Sequence, residues 1–226
     1  MSGPATYRVV AIDGPSGSGK STVGRAVAHR LALPVLDTGA MYRAVALAVL
    51  EAGIAPSDGE ACARVARDVR VEVEQATTRL DGRDVSTLIR GPEVTAAVSE
   101  VSAHPALRDV LVARQRAWVD AHGGGVVEGR DIGTAVFPAA AVKVYLVASD
   151  DERARRRQRD EEAAARRVDV DAVRDAMARR DRHDATRASS PLRAADDAIV
   201  IDTTARGVDE VVDEIVDRFH AWEGAR

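Results

Sequence analysis

The chain has 226 residues, of which 46% are hydrophobic and 30% charged, and its formal net charge is −4. That length suits one domain with small insertions and a sizeable core, and the near-balanced charge argues against a disordered tail or a general nucleic-acid coat. Asparagine is absent, which excludes N-glycosylation sequons, the guanine-reading Asn-Lys-x-Asp motif and the Asn-bearing catalytic loop of protein kinases.

Residues 7–12, Tyr-Arg-Val-Val-Ala-Ile, read as a strand buried on both faces. A glycine-rich turn follows, and residues 20–32 have helical periodicity. Residues 34–36 predict a second strand, and 39–52 a second helix with Ala44, Leu47, Ala48 and Leu50 on apolar spacing. Strand–helix–strand–helix is the signature of a parallel α/β sheet. Cys62, the single cysteine, lies in an Ala/Arg/Val helical pattern. It cannot close an internal disulfide and reads as a small buried residue.

The rhythm then breaks. Residues 70–75 alternate as a half-exposed strand, and 78–85 contain Asp81-Gly82, a hairpin turn signal. A small antiparallel patch is therefore expected. Helices are predicted over 92–102 and 105–122, a loop over 123–125, and core strands over 126–128 and 142–147. Residues 150–184 are charge-dense and helical. Residues 198–201 read as the last buried strand. An amphipathic helix over 208–222 closes the chain, its apolar face formed by Val211, Val212, Ile215, Val216 and Phe219.

Residues 1–6 lack a basic stretch leading into an apolar one, and no apolar run is long enough to span a bilayer. The five histidines show no metal-ligand spacing. A reducing, cytoplasmic setting is expected, without membrane or nucleic-acid polymer as partner, and a monomer is the expected state.

The sharpest motif is Gly14-Pro15-Ser16-Gly17-Ser18-Gly19-Lys20-Ser21, a P-loop placed after a buried strand and before a helix. Its glycines let successive backbone N–H groups turn inward around phosphate oxygens, and the helix N-terminus adds partial positive charge. ATP is the expected donor, held by residues 14–22. Lys20 would reach the β- and γ-phosphates, and the Ser21 hydroxyl would bind Mg²⁺; Thr22 could share that role. Asp13 could orient the loop, hold a Mg²⁺-bound water, or merely end the strand.

Further segments carry a resemblance. Asp37-Thr-Gly-Ala-Met-Tyr-Arg43, Glu128-Gly-Arg-Asp-Ile-Gly-Thr134 and Arg180-Asp-Arg-His-Asp-Ala-Thr-Arg187, together with the insertion around residues 80–90, resemble the bacterial cytidylate kinases over nearly the whole chain. Gly19-Lys20-Ser21-Thr22 departs from the Gly-Lys-Gly-Thr of many relatives, and the extra hydroxyl should preserve the chemistry. The resemblance implies a P-loop NTPase fold: a five-stranded parallel sheet flanked by helices, a nucleoside-monophosphate insertion and a helical lid. It divides the chain into a core (about 1–62, 104–150 and 185–226), an insertion (about 63–103) and a lid (about 151–184). It implies transfer of the ATP γ-phosphoryl, with Mg²⁺, to CMP or dCMP.

By the same resemblance, Asp131, Ser99 and Arg108 would contact the base. A carboxylate suits the exocyclic N4 donor of cytosine and repels the acceptor that uracil carries there. Arg108, a donor-only group, suits N3 and O2. Arg180 and Asp184 would meet the ribose hydroxyls. Arg43, Arg130 and Arg187, with Thr38 nearby, would clamp the acceptor phosphate through planar guanidinium forks.

Residues 152–187 hold twelve arginines and nine acids. One reading is a solvated helix with self-paired charges. The other is a lid that brings arginine to the transferring group, with Arg153 and Arg157 on one face. The catalytic set expected is thus Lys20, Arg130, Arg153, Arg157 and Arg187. Two other readings stand beside this one: a P-loop kinase for UMP, dTMP or a small hydroxylated metabolite, and an ATP-dependent switch without turnover.

Overall fold

A computed structural model describes residues 7–74, 77–163, 169–187 and 189–225. Strand β1 (Tyr7–Asp13) is buried from Val9 onward, as its unbroken apolar run requires. It leads through the P-loop into α1 (Lys20–Arg30). That helix stops two residues short of the predicted end because Leu31 caps it and Ala32 turns to φ 49°. Next come β2 (Val35–Asp37) and α2 (Thr38–Glu51), whose N-terminus is capped by the Asp37 carboxylate accepting from the Ala40 N–H at 3.0 Å.

Helix α3 (Gly59–Asp68) follows, capped by Asp58. An antiparallel sheet of β3 (Val71–Glu74), β4 (Thr77–Leu80) and β5 (Arg83–Asp84) comes next. Its hairpin turns at Asp81 (φ 50°) and Gly82 (φ 82°), the geometry the Asp-Gly pair predicts. Gln75 of the predicted strand lies outside the described residues. Helices α4 (Pro92–Val101) and α5 (Pro105–His122) each start on proline, where its missing N–H costs nothing.

Strand β6 (Gly125–Gly129) leads into a single π-type turn at Ile132–Val136, then β7 (Ala140–Val147). The charge-dense stretch forms α6 (Asp150–Ala163) and α7 (Val170–Thr186), while residues 164–168 lie outside the description. Strand β8 (Ile199–Asp202) and α8 (Val208–Gly224) complete the chain.

The main sheet has the order β2-β6-β1-β7-β8, and every pairing is parallel. Alternate residues of β1 serve opposite cores. Val9 and Ala11 pack with α2, α4 and α5, whereas Val10 and Ile12 pack with α1 and α8. Parallel pairing brings the C-terminal ends of β1, β2 and β6 to one edge, and the chain reverses direction across the sheet beside β1. That crevice is where such sheets bind ligands.

Gly14 sits at φ 146°, and a Cβ added there would fall 2.2 Å from the Leu146 carbonyl oxygen. Both the backbone conformation and the close approach to β7 require glycine. Gly14→Ala is expected to cost about 1–3 kcal/mol of stability or more, read as a lowered thermal unfolding midpoint.

Candidate active site

The P-loop turns through positive φ at Gly14, Gly17 and Gly19. Lys20 is buried inside it, and its ammonium donates to the Pro15 carbonyl at 2.7 Å. Burial first, then the Arg130 guanidinium, pull the Lys20 pKa well below the usual lysine range. Residues Ser16, Gly17, Ser18, Gly19, Lys20, Ser21 and Thr22 line a cavity of about 580 Å³, joined by Arg156, Arg157 and Arg206. Gly14 and Pro15, also expected to hold ATP, do not line it.

Three carboxylates stand at the converging strand ends. Asp13 accepts from the backbone N–H groups of Ile132 (2.8 Å) and Gly133 (2.7 Å). It therefore orients the loop that carries Arg130 and Asp131, a role outside the alternatives its position suggested. Burial outweighs those two bonds and lifts its pKa to about 6. Asp37 caps α2. Glu128, buried at the end of β6, accepts from the Ser21 hydroxyl at 2.8 Å. Its pKa is raised by burial and by Asp37. Sequence reasoning quoted Glu128 only within a motif. The signal it carried was an acid ending a core strand, and only the β1–β6 pairing sets that acid beside the P-loop.

A second cavity of about 1020 Å³ opens between α4 and α7, with Thr95, Ser99, Met177 and His183 on its walls. Ser16, Arg43, Arg90, Arg157 and Arg180 line both cavities. Arg43 donates to the Ile89 carbonyl (3.0 Å) and the Thr95 hydroxyl (2.9 Å). Burial, then Arg180 and Arg157, hold its pKa well below the usual range. Arg180 falls to about 10, through burial and Arg130.

Deeper, Arg108 donates to Asp131 at 2.5 Å, both nearly sealed from solvent. The Arg108 guanidinium lies 5.4 Å from the Tyr42 ring centroid, a cation–π distance. Asp184 is buried among three arginines: Arg130 at 3.2 Å, Arg187 at 3.8 Å and Arg180 at 4.0 Å. The predicted sugar, phosphate and base residues are thus gathered into one charged region.

Of the predicted catalytic and acceptor-binding residues, six, Thr38, Arg108, Asp131, Arg153, Asp184 and Arg187, line neither cavity. Arg153 does not line the phosphate cavity; its guanidinium bonds the Ser16 carbonyl, Asp150 and Asp181. Arg156 does line it, held by Glu152 and by the Thr203 hydroxyl and carbonyl. Helical spacing selects a face but does not tell which arginine on it finds an acid first. The Thr38 hydroxyl donates to the Glu128 carbonyl at 2.7 Å, fixing α2 to β6, and lines neither cavity.

A P-loop on the central strand of a parallel sheet, a buried lysine within it, and arginines shared by two adjoining cavities define a P-loop phosphotransferase. The family model for cytidylate kinase matches residues 10–221, and the chain belongs to that family. The cytidylate kinase of Mycolicibacterium paratuberculosis is 52% identical over 213 residues, covering 92% of this chain and 93% of its own. That of Corynebacterium glutamicum is 50% identical over 217 residues, covering 94% of each chain. Among solved structures, an uncharacterized protein from Eubacterium ventriosum shares the fold, with a TM-score of 0.50 at 14% identity over 95% of this chain and 99% of that one.

Two measurements follow from this geometry. Asp13→Asn presents an N–H to one of two backbone donors, so it should lose about 1–3 kcal/mol of stability and lower turnover through the displaced 130–134 loop. Thermal unfolding and steady-state rates check both effects. A phosphate in the P-loop favours the charged form of Lys20, whose pKa is depressed in the free protein. Binding of ATP in EDTA at about pH 8 should therefore take up protons. Calorimetry in buffers of different ionisation enthalpy reads the uptake, which should shrink in Lys20→Met.

Proposed function

We propose that the chain transfers the γ-phosphoryl group of ATP directly to CMP or dCMP, giving CDP or dCDP. The observation that carries this reading is the wall of Arg43, Arg90, Arg157 and Arg180 common to both cavities. Two bound phosphates facing each other across that wall would meet where cationic charge is densest. Arginines converging there stabilise charge on a transferring phosphoryl.

ATP occupies the cavity lined by the P-loop, and the monophosphate enters through the cavity between α4 and α7, which Arg43, Ser99 and Arg180 line, and reaches past its wall to the buried groups. Arg43, Arg130 and Arg187 hold the acceptor phosphate, Arg180 and Asp184 the sugar, and Asp131, Arg108 and Ser99 the base. The acceptor is a phosphate monoester with a second pKa of about 6, so it is already ionised at neutral pH and needs no general base. Transfer is in-line, with no covalent enzyme intermediate. Of the arginines expected to act, Lys20's partners at the phosphoryl are Arg130, Arg157 and Arg187, with Arg153 replaced by Arg156. In this reading the insertion at about 63–103 and the lid at about 151–184 enclose the substrates and exclude water.

The donor set beside the P-loop fits Mg²⁺. Ser21 and Glu128 offer hard oxygen ligands, and one or two protein oxygens plus substrate phosphates are what that ion takes. When bound, Mg²⁺ would neutralise phosphate charge and align the donor. No helix of the described residues is long and apolar enough to cross a membrane; a monomeric, cytoplasmic enzyme is the setting proposed.

The test is a coupled ADP-release assay with MgATP and CMP, dCMP, UMP, dTMP, AMP or no acceptor. Turnover should be strong with CMP and dCMP and weak with UMP, and Lys20→Ala should lose most of it. Asp131→Asn removes the charge that disfavours uracil, so the CMP/UMP ratio of kcat/KM should fall about tenfold or more. An unchanged ratio would remove Asp131 from base reading. Turnover confined to another monophosphate would overturn the cytosine assignment.

A further inference from the structure

Ser16 is the P-loop residue common to both cavities, and two lid side chains grip it. The Asp181 carboxylate, on α7, accepts from the Ser16 N–H at 3.3 Å. The Arg153 guanidinium, on α6, donates to the Ser16 carbonyl at 3.0 Å. Arg153 and Asp181 are also paired with each other, with side chains only 10% and 15% exposed. Asp150 fixes the far end of Arg153 at 2.6 Å. Both polar groups of one P-loop peptide unit pair are therefore held by a single inter-helix ion pair.

The contact is close along its length. A Cβ added to Gly17 would fall 2.8 Å from the Arg153 carbonyl oxygen and 2.9 Å from Met177 Cε. Met177, Asp181 and Asp184 follow helical spacing along one side of α7. One residue before Asp181, Arg180 lines both cavities; three after it, Asp184 is buried against Arg130. The helix assigned above to the acceptor's sugar is thus hydrogen-bonded to the loop assigned to the donor's phosphates. The phosphoryl chemistry proposed above uses neither Asp181 nor Arg153.

We propose that Asp181 is a positioning residue that couples the two nucleotide sites, through a clasp it forms with Arg153 on Ser16. Acceptor held by Arg180 and Asp184 fixes α7. A fixed α7 holds the Ser16 amide and carbonyl, and so holds the P-loop in the form that receives ATP. Coupling of this kind is reciprocal, so each nucleotide tightens the other. The inference rests on the acceptor assignment of the preceding subsection.

The experiment compares the dissociation constant of a non-hydrolysable ATP analogue with Mg²⁺ in the absence and presence of saturating CMP. The parent protein should bind the analogue about fivefold or more tightly with CMP present. Asp181→Asn and Arg153→Gln should each reduce that ratio to below about twofold, and the double variant should reduce it no further than either alone, because both cut one link. Arg174→Gln is the control. It removes a different bridge between α7 and α6, Arg174 to Asp151 at 3.1 Å, and does not touch the P-loop. Its coupling should stay as in the parent protein, and thermal unfolding verifies that each variant is folded.

Parent-like coupling in Asp181→Asn overturns the clasp, and so does an equal loss in Arg174→Gln, which would mean general loosening of the lid. A parent protein that turns over CMP with no coupling also overturns the clasp and leaves the functional reading intact. A parent protein that neither binds nor phosphorylates CMP overturns the functional reading and the clasp with it.

Discussion

Lys20 and Arg43 are both buried, and among the described residues neither has a carboxylate within 4.0 Å. Each leans instead on neutral oxygens: the Pro15 carbonyl for Lys20, and the Ile89 carbonyl and Thr95 hydroxyl for Arg43. Arg130, Arg157 and Arg180 add like charge around them. An unpaired buried charge costs several kcal/mol, a large share of the roughly 5–15 kcal/mol by which a domain is stable. The fold tolerates that cost beside the P-loop, and under the proposed function bound phosphates would relieve it. This constraint explains why burial and mutual repulsion depress the pKa values of Lys20, Arg43 and Arg180 together.

The scaffold that bears the strain is the central strand. β1 is enclosed by β6 and β7, so its C-terminal end is fixed on both sides before the P-loop begins. Asp13 extends that rigidity across the crevice by holding the Ile132 and Gly133 amides, which sets the loop bearing Arg130 and Asp131. Thr38 ties α2 to the end of β6 in the same way. The cationic groups are held apart by short bonds to backbone, and electrostatic preorganisation requires that rigidity.

The arginines of the lid divide by partner. Arg153 is neutralised by Asp150 and Asp181 and braces structure. Arg156 is held by Glu152 and Thr203 at the mouth of the phosphate cavity. Arg180 shares Asp184 with Arg130 and Arg187, which leaves that buried trio in cationic excess. Acids of the charge-dense stretch pair with some of its arginines on the helices themselves, while Arg156, Arg157, Arg159 and Arg180 line the cavity beside the P-loop.

The amino-acid sequence by itself determined the strand–loop–helix at residues 7–30, the Asp81-Gly82 hairpin and the proline starts of α4 and α5. Each is set by chain geometry within a few residues. The P-loop and the family motifs likewise carried most of the candidate site. The sequence placed a helical pattern around Cys62, but it did not show that this helix, α3, packs against α2 and α5. Nor did it show that Glu128 meets Ser21, that Asp13 serves residues 132 and 133, or that Arg153 is drawn to Asp181 and away from the phosphates. Those outcomes depend on pairs 28 to 120 positions apart. Which charges are cancelled and which stay available to a ligand is a matter of distance in space, and packing of the sheet and lid decides it.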